Sequence, residues 1–198
     1  MNGPRTALLL GVIALALLVG IGASELVGSH RGSSQELGSL SREEIALKLA
    51  GSPGPLAGLH DQAGELLDGG GRALNRRLHE LKGYPVVINK WASWCEPCRA
   101  EFPIFEHASA NLGRHVAFIG LDSGEAGRAN ALAFLRSHRL SYPSYYDPSG
   151  TLGEQLTFSS FTPVTVFIAP DGRTYRHQGP YPTLEKLERD VERYGVDA

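Results

Sequence analysis

Cysteine is nearly absent from this sequence: Cys95 and Cys98 are the only two in a chain of 198 residues. Separated by two residues, they cannot tie distant parts of a fold together, which excludes the disulfide framework of a small secreted domain. A surplus of positive charge is missing too. Nineteen Lys and Arg stand against 21 Asp and Glu, a net charge of -2, so there is no basic field for nucleic acid and no such partner is expected. No second Cys pair exists to complete a four-ligand zinc site, and His107 falls about three turns along the helix from Cys95, so no metal is expected. The Gly69-Gly70-Gly71 run lacks the Lys-Ser/Thr ending of a phosphate-binding loop. No internal repeat is visible. What is there, 42% apolar and 20% charged residues, suits one globular domain with an extension.

The extension begins with an uncharged run, Thr6 to Ala23, behind a short start carrying Arg5. It approaches the roughly 20 residues that cross a bilayer, and the positive end is expected to stay cytoplasmic. The expectation is a cytoplasmic N-terminus at 1–5, a transmembrane signal anchor at 6–23 and an extracytoplasmic linker at 24–52. A domain follows at 53–198, on the extracytoplasmic side of a single-pass cell-membrane protein. A cleaved signal peptide, cut before Ser24, stays open, although the run exceeds the roughly 7 to 15 residues of a signal core. No cysteine follows the run, so lipidation there is excluded.

Within 24–52 a brief helix is expected near Ser41 to Leu49, where Ser41 and Glu44 fit a capping box. Leu56 to Leu67 reads as a short helix, and Leu74, Leu78 and Leu81 fall at helical spacing. Pro85 to Trp91 is rich in β-branched residues and reads as a buried central strand. A helix is expected from about Cys95, bent but not broken by Pro103. Val116–Leu121 reads as a second strand, Glu125–His138 as a helix, Tyr142–Tyr146 as a short strand and Leu152–Leu156 as a short helix. Val164–Ile168 and Thr174–Gln178 form a hairpin across Pro170-Asp171-Gly172. A closing helix carries Leu184, Leu187, Val191 and Tyr194. This order implies an α/β fold with a central mixed β-sheet flanked by helices.

The segment Trp94-Cys95-Glu96-Pro97-Cys98 joins a strand exit to a helix start. Unpaired N–H groups and the helix dipole favour negative charge there, so Cys95 is expected to ionise readily and to be a reachable nucleophile. Pro97 is tolerated in the first helical turn. Cys98, three residues on, shares the helix face and is the resolving thiol. Glu96 places a negative charge between them and opposes an extreme thiolate, which argues for a reductant.

The stretch VVINKWASWCEPCRAEFP, from Val86 to Pro103, resembles the ResA/TlpA type of the thioredoxin-like superfamily, with the similarity running from Gly83 to the C-terminus. The resemblance implies a thioredoxin-like fold and reduction of disulfides by dithiol exchange, with a redox-active Cys95–Cys98 disulfide and no other cofactor. It also implies a membrane protein as thiol-reductant donor. Exported proteins are the implied substrates, among them apocytochrome c in the ResA branch, which places such proteins in cytochrome c biogenesis. The family's carboxylate one turn after the second cysteine falls on Glu101, a candidate for moving the proton of Cys98. Related thioredoxins carry a buried Asp where Asn89 stands, and Asn89 cannot titrate. A cis proline facing the cysteines is implied at Thr162-Pro163, where a cis bond costs only about 0.5 to 1 kcal/mol. Trp94, Glu96, Pro97, Thr162 and Pro163 are therefore the candidate substrate contacts, and a monomer is expected. An exported oxidase running the same chemistry backwards, a peroxidase and a metal chaperone stay open. The peroxidase lacks the threonine it would need, since Ala92 stands there.

Overall fold

The computed structural model describes residues 37–196. Ser41 caps the first helix, α1 (Arg42–Leu49), through a reciprocal box with Glu44. Next come α2 (Gly54–His60), a two-residue strand β1 (Leu66–Leu67) and α3 (Gly70–Glu80). The redox motif lies between β2 (Val86–Trp91) and α4 (Glu96–Leu112). Then follow β3 (Ala117–Ser123), α5 (Arg128–Arg136), β4 (Ser144–Asp147) and α6 (Thr151–Thr157). The hairpin β5 (Val164–Ile168) and β6 (Thr174–Gln178) precedes α7 (Leu184–Val191), which runs into a π-helical turn, Glu192–Val196.

The six strands form one mixed sheet in the order β1-β4-β3-β2-β5-β6. The first four are parallel, while β5 runs antiparallel to β2 and β6 antiparallel to β5. β2 is central, and all six of its residues are buried. Val87 and Trp91 join Phe102, Phe105 and Phe167 on one side. Ile88 points to the other, with Leu56, Leu74 and Ile119. Burying each such side chain contributes about 1.5–3 kcal/mol, so both layers of helices are held to this strand. Trp91 is fully buried and donates its indole N–H to Ser144 Oγ at 3.1 Å. Gly120 makes room for that pair, since a Cβ there would collide with Ser144.

The expectation of an N-terminal transmembrane helix, and with it the signal anchor and the single-pass membrane placement, is corrected. Among the described residues no helix is long and apolar enough to cross a membrane. The longest, α4, has 17 residues and carries Glu96, Arg99, Glu101 and Glu106, each costly in hydrocarbon. Residues 6–23, on which the anchor was expected, lie outside the described residues, as do 1–5 and 24–36. From Leu37 onward the chain is one compact unit. Residues assigned to the linker belong to it, because α1 packs on α4 and Lys48 Nζ donates to Asn111 Oδ1 at 2.9 Å.

Candidate active site

The parallel strands aim their C-terminal ends at one edge, and β2 delivers the chain there into Ala92–Trp94 before α4 begins. Cys95 is the N-cap of α4. Its sulfur accepts the backbone N–H of Cys98 at 3.2 Å, satisfying one of the free donors of the first turn. Cys95 and Cys98 form a disulfide, with Cα atoms 5.3 Å apart. Pro97 lies in the first turn, where its missing N–H costs nothing. The helix runs on through Pro103 without interruption.

The Thr162-Pro163 bond is cis, as the resemblance implies. The Thr162 carbonyl oxygen lies 3.6 Å from Cys95 Sγ. In the disulfide that sulfur has no proton to give, so this is a packing contact. It also explains a difference from expectation: Cys95 is only 3% exposed in the oxidised state, and Cys98 is fully buried. Trp94, Glu96 and Phe161 are exposed around them. Trp94 is 63% exposed and is tethered by its indole N–H to the Gly124 carbonyl at 3.1 Å.

One turn beyond Cys98, Glu101 is fully buried. Asn89 Nδ2 donates to its Oε1 and the Tyr181 backbone N–H to its Oε2, both at 2.9 Å. Burial pushes its pKa up to about 7, and the Tyr181 and Asn89 bonds hold it from rising further. A carboxyl of that pKa gives up and takes back a proton at neutral pH. The Asn89 amide oxygen is buried with no partner among the described residues.

Four further groups at this end of the sheet escaped the sequence reading. Lys90 is 2% exposed and donates to the carbonyls of Ser159 at 2.8 Å and Phe161 at 3.1 Å. Burial pushes its pKa down, and Glu154 and Asp147 push it back up. Buried Glu125 accepts from the Ser93 backbone N–H at 3.0 Å and from the Ser93 hydroxyl, bracing the loop before Cys95. Asp122, fully buried at the end of β3 and paired in register with Trp91, finds no hydrogen-bond partner for either oxygen among the described residues. Burial raises its pKa to about 8, Glu125 and Asp147 add to the rise and Arg128 opposes it. Tyr181 supplies the N–H to Glu101 from 80 residues away. A lysine inside a strand read as buried, and an aspartate directly after an apolar one, were the available signals, because such residues are almost never fully buried unless paired. Tyr181 had none.

The redox centre is the disulfide itself, and among the described residues no group of three or more His, Cys, Asp or Glu is arranged to hold a metal ion. His107 Nε2 instead lies 2.6 Å from the Gly38 carbonyl, and the His177 ring stacks on Tyr181 with centroids 4.3 Å apart.

A family model described as Redoxin matches residues 63–191. The thiol-disulfide oxidoreductase ResA of Oceanobacillus iheyensis is 30% identical over 115 residues, 57% of this chain and 58% of that protein. The thiol:disulfide interchange protein DsbE of Escherichia coli is 31% identical over 122 residues, 59% of this chain and 63% of that one. The chain thus spans less than two thirds of the length of these curated relatives. Among solved structures, a DsbF homologue from Corynebacterium diphtheriae superposes with a TM-score of 0.54 at 26% identity, covering 59% of this chain and 75% of that one.

Proposed function

Because the chain belongs to the redoxin family, we propose that it is a thiol-disulfide oxidoreductase that reduces disulfides of exported proteins outside the cytoplasm by dithiol exchange at Cys95 and Cys98. The observation that carries this reading is the Cys95–Cys98 disulfide capping α4, beside the Thr162 carbonyl and one turn before the buried Glu101. In the reduced protein the first-turn N–H groups and the helix dipole favour a thiolate at Cys95. That thiolate attacks one sulfur of a target cystine, the target S–S bond breaks, and a mixed disulfide forms as the first target thiolate leaves. Glu101 takes the proton of Cys98, whose thiolate then attacks Cys95 Sγ and expels the second target thiolate. Two electrons pass to the target and the Cys95–Cys98 bond is restored. A membrane dithiol donor reduces it again by the same exchange.

Thr162 and Pro163 offer backbone to the target chain, with Trp94, Glu96 and Pro97 forming the rim on the other side. The curated relatives matched here carry the names ResA and DsbE, and apocytochrome c is the substrate the ResA resemblance favours. Glu96 between the two sulfurs opposes an extreme thiolate, which favours reduction over oxidation. A potential near about -270 mV supports that direction, and one near about -120 mV reverses it.

The test is trapping. In Cys98→Ser the mixed disulfide at Cys95 has no resolving thiol, so targets are expected to accumulate on the variant in cell envelopes, with apocytochromes among them. No capture, together with failure of reduced Cys95 to react with iodoacetamide at pH 7, rejects the reading.

A further inference from the structure

Only five large apolar side chains are strongly exposed among the described residues, and three of them stand on the two segments that meet at the disulfide. They are Trp94, 63% exposed, Phe158, 80%, and Phe161, 73%; the other two, Leu47 and Tyr175, belong to α1 and β6. Phe161 is adjacent to Thr162, whose carbonyl touches Cys95 Sγ. Exposed apolar groups on segments that adjoin a reactive centre mark a surface that another molecule covers.

The segment that carries the two phenylalanines is fastened from inside. The Lys90 ammonium donates to the carbonyls of Ser159 and Phe161, at 2.8 and 3.1 Å, gripping the backbone on both sides of Ser160. Gly153 lets it reach them, since a Cβ there would come within 2.9 Å of Lys90 Cε. The Phe161 N–H closes on Ser159 Oγ at 3.1 Å. Arg176 of β6 donates to the Leu156 carbonyl at 3.0 Å and stacks its guanidinium 4.5 Å from the Phe158 ring centroid. Phe158 itself is the one non-glycine residue with positive φ, 53°, among the described residues. A bulky residue in that region is strained, and such strain collects at binding surfaces. The arm is thus held still by polar contacts while its apolar side chains face water.

We propose that Phe158–Thr162 is a docking arm, held in place by Lys90 acting as a positioning residue, that selects target cystines flanked by bulky apolar side chains in an extended, unfolded chain. The proposal rests on the exchange reaction proposed above and names the substrate class of that site. An unfolded chain fits for two reasons. A folded partner keeps its large apolar residues inside, whereas a non-native segment offers them next to its cysteines. A target that reaches Cys95 also has to lie across the Thr162 backbone, whose carbonyl oxygen is 3.6 Å from Cys95 Sγ, and an extended chain does this more readily than a bulky folded surface. Phe161 then holds the apolar side chain beside the cystine, and the ordered arm keeps the entropy lost on docking small.

The experiment uses the full chain, with dithiothreitol as the dithiol that reduces Cys95–Cys98 after each exchange and its uncatalysed rate subtracted, and two synthetic peptides with one cystine each, flanked by Leu and Phe in one and by Ser in the other. The expected result is a kcat/KM about tenfold higher for the apolar peptide, carried by KM. In Phe158→Asn/Phe161→Ser, where Asn suits the positive φ, the ratio falls to about one. Lys90→Met lowers the ratio as well, and Lys90→Arg restores part of it, which a merely space-filling lysine would not show. Binding of the same peptides, cysteines alkylated, to the oxidised protein reads the arm without turnover and is expected to show the same preference. A ratio near one in the unaltered protein, or one that survives the double variant, overturns the proposal. So does a switch from dimer to monomer in the double variant with selectivity intact, since a second copy would then be the occupant. Absence of turnover even on oxidised glutathione would instead reject the oxidoreductase reading and leave the alkylated-peptide preference to judge the arm.

Discussion

Two buried carboxyls, Glu101 on α4 and Asp122 at the end of β3, are both fully enclosed and both driven upward in pKa by burial, to about 7 and about 8. Their surroundings differ in kind. Glu101 is met by two donors, Asn89 and the Tyr181 N–H, which stabilise its charged form. Asp122 meets none among the described residues and has two other carboxylates, Glu125 and Asp147, pushing its proton on. Burial raises both, and the partners each carboxyl meets set how far. The partners hold Glu101 at about 7, whereas Asp122, with no donor to stabilise its charged form, stands higher, at about 8.

Glu101→Gln breaks the comparison most deeply. It is expected to slow resolution of the mixed disulfide about 100-fold at pH 7, from the lower part of the range usual for positioned acid-base groups. In the unaltered protein this step should fall below about pH 7 as the carboxylate is lost, and stopped-flow resolution across pH should show that limb vanish in the variant. If the limb persists, the proton goes elsewhere.

Asp122→Asn probes stability instead. The folded pKa lies above the unfolded value, so the folded state binds the extra proton, and stability falls as pH rises from about 4 to about 8. The slope is at most about 1.4 kcal/mol per pH unit. Chemical denaturation at successive pH values should show that part of the slope disappear in the variant, while the resolution limb at pH 7 stays. Loss of the limb in this variant would erase the distinction between the two acids.

Asn89→Leu sharpens the comparison with the smallest change. It removes one donor, worth about 1 kcal/mol, and the limb governed by Glu101 should move upward by roughly one pH unit. The two acids then become more alike. An unmoved limb would mean that Tyr181 alone tunes Glu101.

Much of this arrangement was legible in the residues. A run rich in β-branched residues announced β2, the cap chemistry of Cys95 and Pro97 announced α4, and Pro170-Asp171-Gly172 announced the β5–β6 hairpin. The stretch Leu56 to Leu67 misled, because helix α2 stops at His60 and Leu66–Leu67 pairs with β4. Two residues carry no periodicity from which a strand can be read. Glu101 came through resemblance, but its second donor could not, since a backbone N–H looks the same on every residue. Lys90 was visible as a charge in a strand read as buried, yet only the fold shows that its reach ends on the carbonyls of Ser159 and Phe161.

The sheet closes on one side with a strand of only two residues, β1, and on the other with β6, whose residues Thr174, Arg176, His177 and Gln178 are polar. Neither rim is a good template for another strand. For a protein whose proposed clients are unfolded chains, this matters more than it would elsewhere: clients arrive with unpaired backbone, and a long greasy rim would recruit them into joint aggregates. Blunt margins let such chains be handled at the sulfur and then released.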